Sequence, residues 1–232
     1  MANDLQDEQP AAQGKQHGAQ DMRLIVMDID STLINQEVID LLGEEAGVGE
    51  QVARVTERAM RGELDFRQAL TERVALLAGL DESVFDRTFA RVTFTTGARE
   101  LVAAAHGRGW KVGVVSGGFH EVADRIVAAA GIDYCLANRL EVADGKLTGR
   151  LASEVVTKER KLEALRGWAA ELGIPMESTV AIGDGANDIP MILAAGVGIA
   201  FCAKPKVRAA APHTLDERNL MLALDIIDGA RE

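Results

Sequence analysis

Short apolar stretches alternate with amphipathic segments along most of the chain. Four apolar runs have strand length, at residues 24–27, 110–115, 179–182 and 197–201. Continuous apolar character over so few residues is typical of strands buried on both faces. Between and around them, helical spacing predicts helices over residues 98–106, 120–130, 161–172 and 189–195. This alternation predicts an α/β fold with a Rossmann-like, doubly wound and mainly parallel sheet.

Residues 35–94 depart from this alternation, because they lie between the first two predicted strands and have helical periodicity throughout. The segment is too long for a single crossover helix, so we expect a small inserted helical cap domain. The core would then comprise residues 21–34 and 95–232. Alternation around Asp144-Gly145 predicts a β-hairpin over residues 140–147.

Composition limits the partners of the protein. The formal net charge of −11 over 232 residues argues against a surface that binds nucleic acid or an anionic membrane. The two cysteines, Cys135 and Cys202, lie in apolar runs without metal-ligand spacing, so we expect buried thiols and no disulfide. A reducing, cytoplasmic location suits this pattern. A monomer and a homodimer would both suit the fold.

The first twenty residues are polar and rich in Gln, Ala and Asp. They lack the basic start and apolar stretch of a signal peptide, so we expect a disordered tail and no secretion. Since only this tail precedes Asp21, we expect no amino-terminal regulatory domain.

Acidic residues follow two of the predicted strands. Asp28 and Asp30 come directly after the first strand, and two-residue spacing on extended backbone places both on one side. Alone, such a pair is more often a polar strand-to-loop transition. The segment 183–188 adds Asp184 and Asp188 at another strand end. The carboxyl ends of parallel strands meet at one edge of the sheet, so we expect these four carboxylates to lie close together. Clustered carboxylate oxygens are the ligands that Mg²⁺ prefers, so the pattern predicts a Mg²⁺ site.

Two further features could bind an anion. Ser116-Gly117-Gly118 precedes a predicted helix and offers a hydroxyl and open backbone N–H groups, although this tripeptide is also a common turn. Lys161 lies in the charged run 158–161, which by itself is typical of a solvated helix face.

The order of these motifs resembles that of the haloacid dehalogenase superfamily. Within it, five segments are similar to the phosphoserine phosphatase family, and they cover residues 28–37, 58–66, 115–119, 137–140 and 201–205. The resemblance extends from about Arg23 to the carboxyl end. It implies a Mg²⁺-dependent phosphoric monoester hydrolase that acts on L-phosphoserine through an aspartyl-phosphate.

The resemblance also implies roles for the residues of the core. Asp28 would be the nucleophile, and Asp30 the general acid and then the general base. Mg²⁺ would be held by Asp28, the backbone carbonyl of Asp30, and Asp184. The remaining residues would orient the metal ligands or bind the phosphoryl group, and they are Asn187, Asp188, Ser116, Gly117, Gly118 and Lys161.

For the helical insertion, the resemblance implies substrate selection. Glu37 would pair with the substrate ammonium and Arg73 with its carboxylate, while Met60 and Phe66 would close over the site. Without the resemblance, these residues would be interpreted as surface charges and ordinary apolar packing. His106, His120 and His213 lack any motif context, and we assign them no catalytic role.

Two other functions remain open at this stage. A phosphotransferase could pass the phosphoryl group from Asp28 to an alcohol such as homoserine instead of water. A non-catalytic sensor of a phosphorylated metabolite is the third hypothesis. A sensor is expected to have lost Asp28, Asp30 or Asp184, whereas all three are present.

Overall fold

The computed structural model of the protein describes residues 22–230. The predicted tail of residues 1–20 lies outside this range. Within this range the chain forms eight strands: Leu24–Met27 (β1), Lys111–Phe119 (β2), Tyr134–Asn138 (β3), Leu140–Ala143 (β4), Lys146–Leu151 (β5), Thr179–Gly183 (β6), Val197–Phe201 (β7) and His213–Leu215 (β8). Six of them form one sheet in the order β3-β2-β1-β6-β7-β8, and every neighbouring pair is parallel.

The described α-helices are Val38–Glu45 (α1), Gly49–Met60 (α2), Phe66–Ala75 (α3), Val84–Ala90 (α4), Ala98–Gly107 (α5), His120–Ala130 (α6), Lys158–Glu171 (α7), Ile189–Ala194 (α8), Pro205–Ala210 (α9) and Ala223–Gly229 (α10). Helices α1 to α4 all lie between β1 and β2, as the sequence predicted. The fold class is therefore confirmed. Within residues 22–230, no helix has both the length and the apolar character needed to cross a membrane.

The core lies on both faces of the sheet, and β1 shows how the sequence produces this. Ile25 and Met27 belong to one apolar cluster, whereas Leu24 and Val26 belong to the other. All four side chains are completely buried. Because successive side chains of a strand point to opposite faces, only a continuous apolar run can fill both layers.

The hairpin of β4 and β5 turns at Asp144-Gly145, as predicted. Its backbone also pairs with the helical insertion, since the N–H of Gly79 donates to the carbonyl of Leu147 at 2.8 Å. The N–H of Leu147 in turn donates to the carbonyl of Leu80 at 2.8 Å. The hairpin therefore joins the insertion to the rest of the chain.

Several sequence predictions need correction. Strands β3 and β8 were not predicted, because both are partly buried edge strands whose positions depend on pairing with β2 and β7. Strand β2 continues to Phe119, since its glycines remain extended, and α7 begins three residues early, at Lys158. Cys135 and Cys202 are free, but both are only partly buried. Cys135 lies on the edge strand β3, and Cys202 turns away from the end of β7 with a φ of +44°.

Candidate active site

The site is built at the carboxyl end of β1, the strand at the centre of the sheet. The N–H of Asp28 donates to the carbonyl of Ile182 at 3.0 Å, so Asp28 continues the ladder with β6. After it the chain turns sharply, with Ser31 in the left-handed region at a φ of +57°. Asp28 is 6% exposed and Asp30 is 9% exposed. The turn therefore places two carboxyl groups at a nearly buried position.

Lys161 lies at the centre of the charged cluster. Its Nζ donates to Asp28 Oδ1 and to Asp188 Oδ1, each at 2.7 Å, and the residue is completely buried. Burial opposes its charge, but the carboxylates of Asp188 and Asp28 outweigh this effect and raise the pKa of Lys161. The other members of the run, residues 158–160, are exposed. The sequence alone could not make this distinction.

Asp30 is held from two sides. Its Oδ1 accepts from the backbone N–H of Val38 at 2.7 Å, and its Oδ2 accepts from Ser116 Oγ at 2.8 Å. Desolvation is the largest influence and raises the pKa of Asp30, while these hydrogen bonds and Lys161 oppose the rise. A carboxyl group with a raised pKa, fixed beside a second carboxyl, can donate a proton and later accept one.

The loop after β6 supplies the remaining carboxyl groups. Asp188 is completely buried, and its Oδ2 accepts from the N–H of Gly185 at 3.0 Å. Asp184 is partly buried and accepts a long hydrogen bond of 3.4 Å from Thr32 Oγ1. Asn187 is partly buried in the same loop, with its side chain folded against Gly185. The loop therefore directs its acidic groups toward the end of β1.

The donor set fits a divalent metal. Carboxylate oxygens of Asp28, Asp184 and Asp188 lie within 4.8 Å of one another. Burial is the largest influence and raises the pKa of Asp28 and of Asp184; the charge of Lys161 opposes the rise, and that of Asp188 adds to it. A single ammonium from Lys161 does not balance three clustered carboxylates, whereas hard divalent cations bind such oxygen groups. The site therefore has the chemistry of a metal centre.

Ser116, Gly117 and Gly118 lie directly opposite Asp30. The N–H of Gly118 donates to Ser116 Oγ at 2.7 Å. A Cβ on Gly118 would lie 2.9 Å from Asp30 Oδ2, so only glycine fits there. A Cβ on Gly117 would lie 3.0 Å from Phe66 Cζ, which shows that Phe66 reaches this side of the site. The tripeptide and the acidic pair are therefore one site.

The predicted selectivity residues differ in their placement. Glu37 is exposed, and its Oε1 accepts from Ser31 Oγ at 2.7 Å. Neighbouring protein groups displace water from the Glu37 carboxyl. This desolvation, followed by the charge of Asp30, raises the pKa of Glu37 to about 7. Burial lowers the pKa of Arg73, although the charges of Asp40, Glu37 and Asp30 oppose this. Arg73 therefore lies close enough to these three carboxyl groups to interact with their charges. Met60, at the end of α2, is 76% exposed.

Two residues at the site were not singled out from the sequence. Thr32 is completely buried and bonds to Asp184. Lys204 donates its backbone N–H to the carbonyl of Asp184 at 3.3 Å, and its charge opposes the rise in the pKa of Asp184. Lys204 lies within residues 201–205, one of the segments on which the resemblance rests, and this was the available signal. Thr32 lies within residues 28–37, another of these segments, so the same signal was available for it.

His120 belongs to a second group of potential metal ligands, together with Asp124 and Cys135. Its Nε2 lies 3.1 Å from the backbone N–H of Ala137 and therefore accepts from it. The neutral ring then carries its proton on Nδ1, which lies 2.7 Å from Asp124 and has no lone pair for a metal. Desolvation also raises the pKa of the Cys135 thiol to about 12. We interpret this group as structural.

The class of protein follows from this site and fold. The family model of the haloacid dehalogenase-like hydrolases matches residues 25–193. The chain belongs to this family.

Relatives narrow the class further. The chain is 61% identical over 205 residues to a phosphoserine phosphatase of Streptococcus thermophilus, covering 88% of this chain and 95% of that protein. It is 52% identical to a phosphoserine phosphatase of Lactococcus lactis, again covering 88% of this chain and 95% of that protein. A solved structure described as a phospho-aspartyl intermediate analogue of phosphoserine phosphatase matches with a TM-score of 0.83 and 46% identity, covering 88% of this chain and 98% of that one.

Proposed function

We propose that the protein is a phosphoserine phosphatase, which converts L-phosphoserine and water to L-serine and phosphate, the last step of serine biosynthesis. One observation carries the proposal: Asp28 and Asp30 lie together at the end of β1, with Lys161 bonded to the first and Ser116 to the second. Two relatives that are 61% and 52% identical to the chain over 205 residues are named phosphoserine phosphatases, which supports the proposal.

In the first step, an oxygen of Asp28 attacks the phosphorus atom of the substrate. The bond between phosphorus and the serine oxygen breaks, and Asp30 donates a proton to the departing oxygen. In the second step, Asp30 takes a proton from water, and the water oxygen attacks the phosphorus of the aspartyl-phosphate. Phosphate leaves, and both carboxyl groups return to their starting states. The raised pKa of Asp30 supports this dual role, because the protonated form is available at the start.

Mg²⁺ is the cofactor that we propose for this site. Asp28, Asp184 and the backbone carbonyl of Asp30 would hold it, and Asn187 and Asp188 would orient those ligands. When bound, the cation neutralises charge on the phosphoryl oxygens and favours the ionised form of Asp28. The bonds from Lys161 and Gly185 to Asp188 support an orienting role, because they hold its carboxylate in place beside Asp28 and Asp184.

The phosphoryl oxygens would be bound by Lys161, by Ser116 and by the backbone at Gly117 and Gly118. Lys161 and Ser116 are held in place by their contacts, since Lys161 is fully buried and Ser116 is bonded on both sides. To bind a phosphoryl oxygen, the single hydroxyl proton of Ser116 would turn from Asp30 to that oxygen. Groups that the protein holds in position stabilise the transferring group more effectively than groups in water do.

The insertion would comprise residues 35–94, and the catalytic core residues 21–34 and 95–232. Substrate choice would lie with the insertion. Glu37 would pair with the ammonium and Arg73 with the carboxylate of phosphoserine. Phe66 would cover the phosphoryl side, a role supported by its contact at Gly117. Met60 would close over the site, and its high exposure means that this role requires substrate or movement of the insertion.

The test is phosphate release from L-phosphoserine, with Mg²⁺ and with EDTA, beside phosphothreonine and sugar phosphates. We expect fast, metal-dependent release that favours phosphoserine. Release from another ester alone would overturn the roles of Glu37 and Arg73 but keep those of Asp28 and Asp30. If added homoserine instead accepts the phosphoryl group, the phosphotransferase hypothesis replaces this one.

A further inference from the structure

Strand β2 leaves its regular ladder with β3 at residues 116–118. Val115 pairs with Leu136, and the next pair joins Phe119 to Asn138, so three residues of β2 face one residue of β3. An extension of this kind removes backbone groups from the ladder. Buried backbone groups need other partners, so the bulge requires hydrogen bonds from outside the sheet.

Asn138, the last residue of β3, supplies one of these bonds. It is completely buried, and its Nδ2 donates to the carbonyl of Gly117 at 2.8 Å. Its Oδ1 accepts from the backbone N–H of Val156 at 2.8 Å. Val156 lies just before α7, the helix that carries Lys161. One buried amide therefore joins the bulge to the segment that leads to the buried lysine.

The hydrogen bonds continue from Asn138 to the catalytic carboxyl. The carbonyl of Gly117 and the N–H of Gly118 belong to one planar trans peptide group and point in opposite directions. That N–H donates to Ser116 Oγ at 2.7 Å, and Ser116 Oγ donates to Asp30 Oδ2 at 2.8 Å. Bonds in such a chain polarise and orient one another, most strongly where water is excluded.

We propose that Asn138 is a positioning residue for the phosphoryl site. It fixes the plane of the Gly117–Gly118 peptide and, through Ser116, the orientation of the Asp30 carboxyl. It does not touch the substrate. This inference rests on the proposed function and adds a residue outside the site to its machinery.

The decisive variant is Asn138→Asp. Aspartate has the same shape and still accepts from Val156, but its carboxylate cannot donate to Gly117. Asn138→Ser is a milder second variant, because its short side chain cannot span both partners. Thr179→Val is the matched control: Thr179 is also completely buried, and its Oγ1 donates to the carbonyl of Met176 at 2.6 Å at the opposite end of the sheet.

We expect kcat for phosphoserine to fall about 5- to 150-fold in both Asn138 variants, the range for a buried carbonyl left without its donor. Inorganic phosphate should also bind more weakly in the presence of Mg²⁺. Thr179→Val should lower the melting temperature but change neither quantity more than about twofold. If the Asn138 variants lose stability and keep kcat and phosphate affinity within that twofold range, the residue is only structural and the proposal is wrong.

Measurements on the wild-type protein distinguish failure of this inference from failure of the proposed function. If it fails to hydrolyse phosphoserine, the proposed function is refuted, and the phosphate titration still tests Asn138. Hydrogen exchange tests the contact without any substitution: the Val156 amide should exchange far more slowly than that of the exposed Glu154. Equal rates for the two amides would overturn the proposal, even if a variant failed to fold.

Discussion

Replacement of Lys161 by methionine tests the charge balance of the site. Lys161→Met keeps most of the side-chain volume and removes the ammonium that bonds to Asp28 and Asp188 at 2.7 Å. Because all three groups are nearly or fully buried, neither carboxylate gains water in exchange. The variant therefore leaves buried negative charge without its partner.

The size of the effect follows from these contacts. Removing one partner of a buried ion pair costs about 3–5 kcal/mol of folding free energy. The loss should be larger at high pH, since burial raises the pKa of Asp28 and a protonated carboxyl carries no penalty. For activity, two hydrogen bonds to charged groups at about 1.5–3 kcal/mol each predict a fall in kcat/KM of about 10²- to 10⁴-fold.

Urea unfolding in EDTA and in Mg²⁺, at acidic and alkaline pH, measures the stability, and phosphate release measures the activity. Lys158→Met is the matched control, because Lys158 lies on the same helix with 58% of its side chain exposed. It should leave both quantities nearly unchanged. If Lys161→Met were as stable and as active as Lys158→Met, the buried charge cluster would not exist as described.

Three further substitutions separate the roles of the site residues. Asp30→Asn should lower kcat about 10²- to 10⁴-fold and prolong the life of the phosphorylated enzyme. Quenched flow measures that lifetime, and rapid dephosphorylation of the variant would contradict the role of Asp30 as the base. Ser116→Ala should lower kcat/KM about 10- to 150-fold, since one hydrogen bond to a charged group is lost, and complete inactivity would indicate an additional role. With a pKa of about 7, Glu37 becomes charged as the pH rises, so the KM for phosphoserine should fall between about pH 6 and pH 8. Glu37→Gln should flatten that dependence, and an unchanged KM profile would exclude pairing with the ammonium.

The sequence predicted those parts of the fold that depend on local patterns. The apolar run of β1 and the spacing of α6 each determine an element almost to the residue. Strand β3 was missed because its position depends on pairing with β2, which no local pattern records. Lys161 shows the same limit within the site, since it becomes buried only when α7 packs beneath Asp28 and Asp188. Long-range contacts of this kind are properties of the folded chain.

The most direct test of the central claim is acid quenching of the reaction with phosphoserine, followed by peptide mapping by mass spectrometry. We predict that the peptide containing Asp28 gains the mass of one phosphoryl group during turnover, and that Asp28→Asn shows neither the gain nor turnover. Sustained turnover without phosphorylation of Asp28, or with the phosphoryl group on another residue, would contradict the account.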